Sequence, residues 1–474
     1  MIMKLQQSNI SRNAGSVLLV TLLLSVIMGI TLGGYLIMAM TQNRSVVRSQ
    51  TWNSAIALTE AGIEDGLQEI NKYAGTFVLL TNWISTASSD NWSLVDSNVF
   101  YVRRYMGEDY YDVYITNSNP MAPTVYASGT TLWHYNYASA ASQSMFAAVG
   151  TSPTATGLTN VTRGVVVATK VDALFNVAMA ALQTIDFNGK NVATDSFDSA
   201  DPLYSTNGLY PYGNVNKTKA NGDVVTDDTI TNSLSVGNAT IKGLVKTGPN
   251  GTVAIGPNGS VGDRAWVEGG SSGIETGHFS DDMNVLFPSV TLPTTTWLPV
   301  VQAPGGTKVN GDSYDYIILT GGDFSLPGLT GSLYIGSNVT VRIKCTGDVK
   351  LTGSSDQIHI ASGGSVIFYM ASGSFSLGGN GLVNENGNAA SFYYFGLPSN
   401  TSVGFNGNAN FVGAVYAPQA AFSLGGGGNN TYDFIGASVS KSVRMNGHFN
   451  FHYDENLARN GFGRGYIPTN WKES

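Results

Sequence analysis

The feature that most constrains this chain is a run of 25 residues without a charge, Ser16 to Met40 (SVLLVTLLLSVIMGITLGGYLIMAM). As a helix rising ~1.5 Å per residue, it is long enough to cross a hydrocarbon core of about 30 Å. It also exceeds the roughly 7–15 apolar residues of a cleaved secretory signal, and no convincing small-residue cleavage site follows it. A polar arm carrying Lys4 and Arg12 precedes the run, and Arg44 and Arg48 follow it. Basic residues on both sides leave orientation open by charge alone. An arm this short is easily left in the cytoplasm, so the expectation is a single pass with the N-terminus inside and the bulk in the periplasm or at the cell surface.

The segment after the run keeps a helical rhythm without proline. Trp52, Ile56, Ile63, Leu67 and Ile70 form an apolar stripe interrupted by Glu60, and Gly62 and Gly66 weaken the helix locally. One helix is therefore expected over 16–73, about 87 Å long, spanning the membrane at 16–40 and then packing on a globular part. RNAGSVLLVTLLL (12–24) followed by SAIALTEAGIEDGLQEI (54–70) resembles the PilX-type N-terminal domain of type IV pilus assembly proteins. That resemblance covers about 70 residues. It implies a leader over 1–15, prepilin-peptidase cleavage between Gly15 and Ser16, and Leu58-Thr59-Glu60-Ala61-Gly62 in place of the family's A-E-A-G-like segment. Where major pilins begin the mature chain with Phe and carry Glu at its fifth position, this sequence has Ser16 and Val20.

Beyond the helix, composition points to β structure. Charged residues are only 12% of the chain, 57 residues are glycine, and there are 23 Tyr and 20 Phe. The runs 99–105, 110–117, 124–136 and 161–170 predict an antiparallel four-stranded head over 74–170, the arrangement of a pilin head. ALFNVAMAAL (173–182) predicts a connecting helix over 171–182. From 183 to 456 the sequence becomes short apolar runs ended by turns, and all eleven Asn-Gly pairs fall at or after Asn188. One turn motif recurs as FNGK (187–190), LGGN (377–380), FNGN (405–408), LGGG (424–427) and MNGH (445–448).

In 333–351 the residues Leu333, Ile335, Val339, Val341, Ile343, Cys345, Val349 and Leu351 alternate with outward positions. The expectation is a right-handed β-solenoid (β-helix) over 183–456, with a β-sandwich bearing long loops as the alternative, and a tail over 457–474. The segments 192–205, 410–428 and 435–459 resemble the β-solenoid domain found C-terminal to PilX-type segments in bacterial surface proteins. The fold class is thus an α+β pilin-like part followed by a large all-β solenoid.

Chemistry-bearing motifs are few. The single cysteine, Cys345, excludes an internal disulfide framework and reads as a small core residue. Net charge −8 without a basic stripe excludes nucleic acid as a partner. GGSSG (269–273) has the letters of a nucleophile elbow but no strand–turn–helix context. Asp195, Asp198 and Asp201, spaced by three, suit either a Ca²⁺ loop or a solvated turn. In HFNFHYDE (448–455), a strand would turn Phe449, Phe451 and Tyr453 inward and His448, His452 and Asp454 outward. The two histidines would then stand ~13 Å apart, too far to share one metal, and the aromatics would cap the last coil.

These readings call for no cofactor, no metal and no catalytic set. They point to a non-enzymatic, pilin-like structural or assembly protein. Its expected partners are the inner membrane and either other pilin-like subunits or a type IV pilus or type II secretion-like machine. The alternative is a membrane-tethered β-helix that binds or degrades polysaccharide. A sparse charge count between 356 and 440, only Asp356, Glu385 and Asp433, weighs against degradation.

Overall fold

The computed structural model describes residues 14–133, 159–188, 192–305, 307–406, 410–425, 431–446, 448–459 and 461–474. Helix α1 (Ala14–Ile70) is a single element of 57 residues. It is long and apolar enough to span a membrane, and protein covers none of its most apolar stretch. Leu18 and Ile30, for example, are 73% and 70% exposed.

From Thr51 onward the same helix lies on an antiparallel sheet. The sheet holds β1 (Ser93–Asp96), β2 (Val99–Met106), β3 (Asp109–Thr116), β4 (Thr124–Trp133) and β5 (Thr159–Ala173) in sequential order. A sixth strand, Gly463–Glu473, pairs antiparallel with β5 and closes the other edge. The expected tail is therefore part of the head. Its pairing partner lies about 300 residues earlier in the chain, out of reach of local patterning.

The helix meets this sheet through small residues together with the later part of the expected stripe: Ile63 and Ile70 are buried and Leu67 packs on the head core, whereas Trp52 and Ile56 stay outside it. Thr51, Ala55, Leu58, Thr59, Gly62, Ile63, Gly66 and Ile70 are buried. Trp52 is 43% exposed and lies under the Arg163 guanidinium at 3.8 Å. The glycines set the distance of approach: a Cβ on Gly66 would come within 2.5 Å of Val125, and one on Gly129 within 2.4 Å of the Ala55 carbonyl. Thr59 ties the layers, its hydroxyl donating to the Arg163 carbonyl at 3.0 Å and accepting from the Gly129 N–H at 3.0 Å. At the top of the helix, Asn71 exchanges two hydrogen bonds with the Tyr466 backbone.

The C-terminal part is rich in sheet, and its strands pair in parallel apart from a short antiparallel hairpin over 308–313. Chain order and spatial order differ there. Strands β6 (Met179–Ala181), β7 (Ile185–Phe187) and β8 (Ala193–Phe197) begin the region. Strands β9 (Phe411–Leu424), β10 (Tyr432–Met445) and β11 (Phe449–Asp454) finish it. Yet β10 pairs directly with β6 and β7, and β11 pairs with β8. On their other sides, β6, β7 and β8 pair with Val224–Thr226, Leu234–Gly237 and Thr240–Lys242.

The chain thus enters mid-stack, builds outward to Phe279–Ser280, crosses back, and returns strand by strand to finish beside its entry point. This arrangement brings all five turn motifs into one column, Leu377 opposite Phe405, then Leu424, then Met445, then Phe187. The first motif in the sequence stacks after the last. Inside, Phe411, Phe434 and Phe451 stack at 4.6 and 4.4 Å.

Residues 171–182 are not helical. β5 runs to Ala173, and β6 is extended because it pairs with β10 on one side and Val224–Thr226 on the other. Helix propensity of an alanine-rich stretch yields to two ladders of backbone hydrogen bonds and complete burial. The aromatics of β11 do not cap an open end either, since β8 covers them. In 333–351 the alternation is as expected: Leu333, Ile335, Val341, Ile343, Cys345, Val349 and Leu351 are all fully buried, while Val339 is half-buried.

The segment after α1 and the segment after β5 both touch the stack. The Tyr369 hydroxyl donates to the Phe77 carbonyl, and the Tyr453 hydroxyl to the Phe175 carbonyl, both at 2.8 Å.

Candidate functional site

Parallel pairing of β11 with β8 places His452 opposite Asp195. The two motifs that stand 257 residues apart in sequence therefore form one cluster. His452 Nδ1 is 2.5 Å from Asp195 Oδ1, and Nε2 is 3.3 Å from Asp433 Oδ1 on β10. The Tyr210 ring stacks on the imidazole at 3.7 Å and its hydroxyl donates to Asp195 Oδ2 at 2.9 Å. Asn450 donates to Asp433 at 3.1 Å, and Tyr212 also hydrogen-bonds that carboxylate.

His452 is only 6% exposed. Burial by itself would lower its pKa, but the hydrogen bonds and charges of Asp195 and Asp433 outweigh it and hold the imidazole at about 9. Burial would likewise raise Asp433, and its bonds to His452, Asn450 and Tyr212 bring it below the ordinary carboxylate value. Burial and the neighbouring Asp195 push the Tyr210 phenol well up.

Around this centre the other predicted residues take separate partners. Asp198 pairs with Arg459 at 2.6 Å. Asp201 accepts from the Leu203 N–H at 2.8 Å and closes its own turn. Asp454 is fully buried; Oδ1 accepts from Ser199 and Asn456 N–H groups at 3.1 Å and Oδ2 has no protein partner. Burial raises its pKa. His448 stays out of the cluster at a turn, its carbonyl accepting from Tyr432 N–H. The three aspartates of DSFDSADP thus point to three different partners rather than to one ion. Among the described residues, no group of three His, Cys, Asp or Glu is placed to hold a metal.

Chemically, the centre is a protonated imidazole held between two carboxylates, with both nitrogens engaged. It offers neither a free base nor a free acid, and it joins β10 and β11, late in the chain, to β8, early in the stack. Sequence reasoning missed Asp433, Tyr210 and Tyr212, because only the parallel pairing brings them to His452. The one available signal was the rarity of charge between 356 and 440, which made Asp433 conspicuous. Cys345 is buried, and burial pushes its thiol up to about 11.

A cleft of about 370 Å³ opens beside the cluster, between residues 206–212 and the sheet floor of Val412 and Ile435. A second, of about 270 Å³, lies between α1 and the C-terminal strand, lined by Ile56, Glu60, Ile63, Arg163 and Trp471 among others.

Comparison with known proteins gives one match: residues 332–460 match a domain of unknown function (DUF7305). That segment contains Asp433 and His452 but neither Asp195 nor the two tyrosines. No curated protein and no solved structure matches the chain.

Proposed function

We propose that this chain is a non-enzymatic, pilin-like display subunit. Its first helical half anchors in the inner membrane with the N-terminus cytoplasmic, and its body, a right-handed β-solenoid, stands outside. The observation that carries this reading is the division of one continuous helix. The run Ser16 to Met40 is apolar and its most apolar stretch is bare of protein contacts, whereas Thr51 to Ile70 lie against the head sheet. A helix apolar all round needs either lipid or other helices around it.

The parallel ladders with inward-facing aliphatic and aromatic columns support the solenoid reading. The PilX-like start of the chain supports cleavage after Gly15 and partnership with other pilin-like subunits or a type IV pilus or type II secretion-like machine. The test is the mature N-terminus, read by intact mass in cells with and without an active prepilin peptidase. A chain beginning at Ser16 only when the peptidase is active agrees with the proposal. A chain that keeps residues 1–15 in both backgrounds removes the pilin-like part and leaves a simple membrane tether.

A further inference from the structure

Between β8 and Val224 the chain leaves the stack and lies as a strap across its outer face. The strap is built rather than loose. Thr206 and Leu209 exchange two backbone hydrogen bonds of 3.0 Å around the Asn207-Gly208 tip, where Asn207 has φ 54°. Lys217 Nζ bonds the Pro202 and Ser205 carbonyls at 2.9 and 2.5 Å, and Arg264 bonds the Val215 and Thr218 carbonyls at 2.5 and 3.1 Å. Leu209 seats over Gly387, where a Cβ would meet it at 2.9 Å.

The cleft of about 370 Å³ between strap and sheet lies in the roughly 300–1,000 Å³ range of small-ligand sites. Its two tyrosine rings, Tyr210 and Tyr212, stand 5.0 Å apart at 82° and make a corner over the apolar floor of Val412 and Ile435. Both tyrosine hydroxyls are committed inward to Asp195 and Asp433, so the corner presents ring surface rather than phenol. Tyr212 is 60% exposed. The rim is uncharged and polar, with Thr206 and Asn207 among its lining residues.

This lining selects the ligand. Among the described lining residues no Lys, Arg, Asp or Glu is available to pair with a charge, and the buried cluster beneath, one imidazolium between two carboxylates, keeps a negative charge that disfavours an anion. A purely apolar ligand would leave the polar rim unused. A sugar ring has both required parts: C–H groups on one face that dock on the negative face of an aromatic ring, and hydroxyls at its edge for an amide and a hydroxyl. We propose that the strap cleft is a binding site for a neutral sugar ring of a glycan. With no carboxylate pair in the described lining it binds without cleaving. The site is independent of how the chain is anchored.

The test uses the full chain in zwitterionic micelles and saturation-transfer NMR with three neutral probes, maltohexaose, cellohexaose and chitohexaose. At least one probe should bind saturably. Tyr212→Ala should weaken it by about tenfold or more, a loss of ~1.4 kcal/mol. Tyr212→Phe should bind as the unsubstituted chain does, because the ring face and not the hydroxyl makes the contact. Tyr105→Ala, at an exposed tyrosine of the head, serves as the remote control. Three results overturn the proposal: no saturable binding of any probe up to ~10 mM, which is weaker than about 3 kcal/mol of affinity; equal binding by Tyr212→Ala; or tighter, Tyr212-dependent binding of anionic polygalacturonate.

Discussion

The His452 cluster makes a prediction with a worked magnitude and sign. The imidazole is held at about 9 in the folded chain, against an ordinary 6.5. A folded value raised above the unfolded one contributes stability that is fully present below about 6.5 and disappears as pH rises through about 9. At ~1.4 kcal/mol per pH unit, the rise corresponds to about 3 kcal/mol. The groups that set it come from every packed element: Asp195 on β8, Asp433 on β10, and the Tyr210 and Tyr212 rings of the strap.

Urea denaturation of the full chain in micelles, followed by near-ultraviolet circular dichroism of the stack tyrosines, should therefore lose about 3 kcal/mol between pH 6.5 and 9.5. His452→Gln should remove that slope and should be less stable at pH 6 by about 3–5 kcal/mol, because two buried carboxylates lose their cation. His448→Gln, outside the cluster, should keep the wild-type slope. Asp433, held low, works in the opposite direction. Its contribution is present above the ordinary carboxylate value and is lost as pH falls through its folded one. A wild-type profile that is flat from pH 6.5 to 9.5, or a His452→Gln variant that keeps the slope, would refute the argument.

Other substitutions probe the remaining joints. Gly66→Leu should separate α1 from the head, since even a Cβ there falls 2.5 Å from Val125; limited proteolysis should then cut between the helix and β1. Phe434→Ala, in the middle of the interior ring stack, should cost about 3–5 kcal/mol in the same urea assay. Asp201→Ala removes only a local turn bond and should change stability by less than about 0.5 kcal/mol. Cys345 should resist alkylation at pH 8 until the chain is unfolded, because it is buried and its thiol is raised to about 11.

Local chemistry made much of this fold legible. Period-two alternation over 333–351 and the strand runs of the head depend on neighbours in sequence, and the structure has them in place. Information carried by distant segments was not legible. Residues 173–182 look helical in isolation and are extended because β10 lies beside them. Of the apolar stripe, Ile63, Leu67 and Ile70 pack on the head, while Trp52 and Ile56 do not, since small residues set the approach of helix to β4. The recurring turn motifs share one column of paired strands, but nothing in a linear sequence says that Phe187 stacks on Met445. For the same reason Asp195 and His452 stand in two separate metal-like motifs of the sequence and meet in the structure as one ion-paired joint.

An anchored helix with the body outside, as proposed, is tested most directly by one labelling measurement. Ser355 is exposed on the stack and the native Cys345 is buried, so a Ser355→Cys chain gives a single accessible thiol. Spheroplasts expressing it are treated with a membrane-impermeant maleimide and fractionated. The account predicts labelling without lysis, with the labelled chain in the membrane pellet. Labelling only after lysis, or recovery of the intact chain in the soluble fraction, would contradict it.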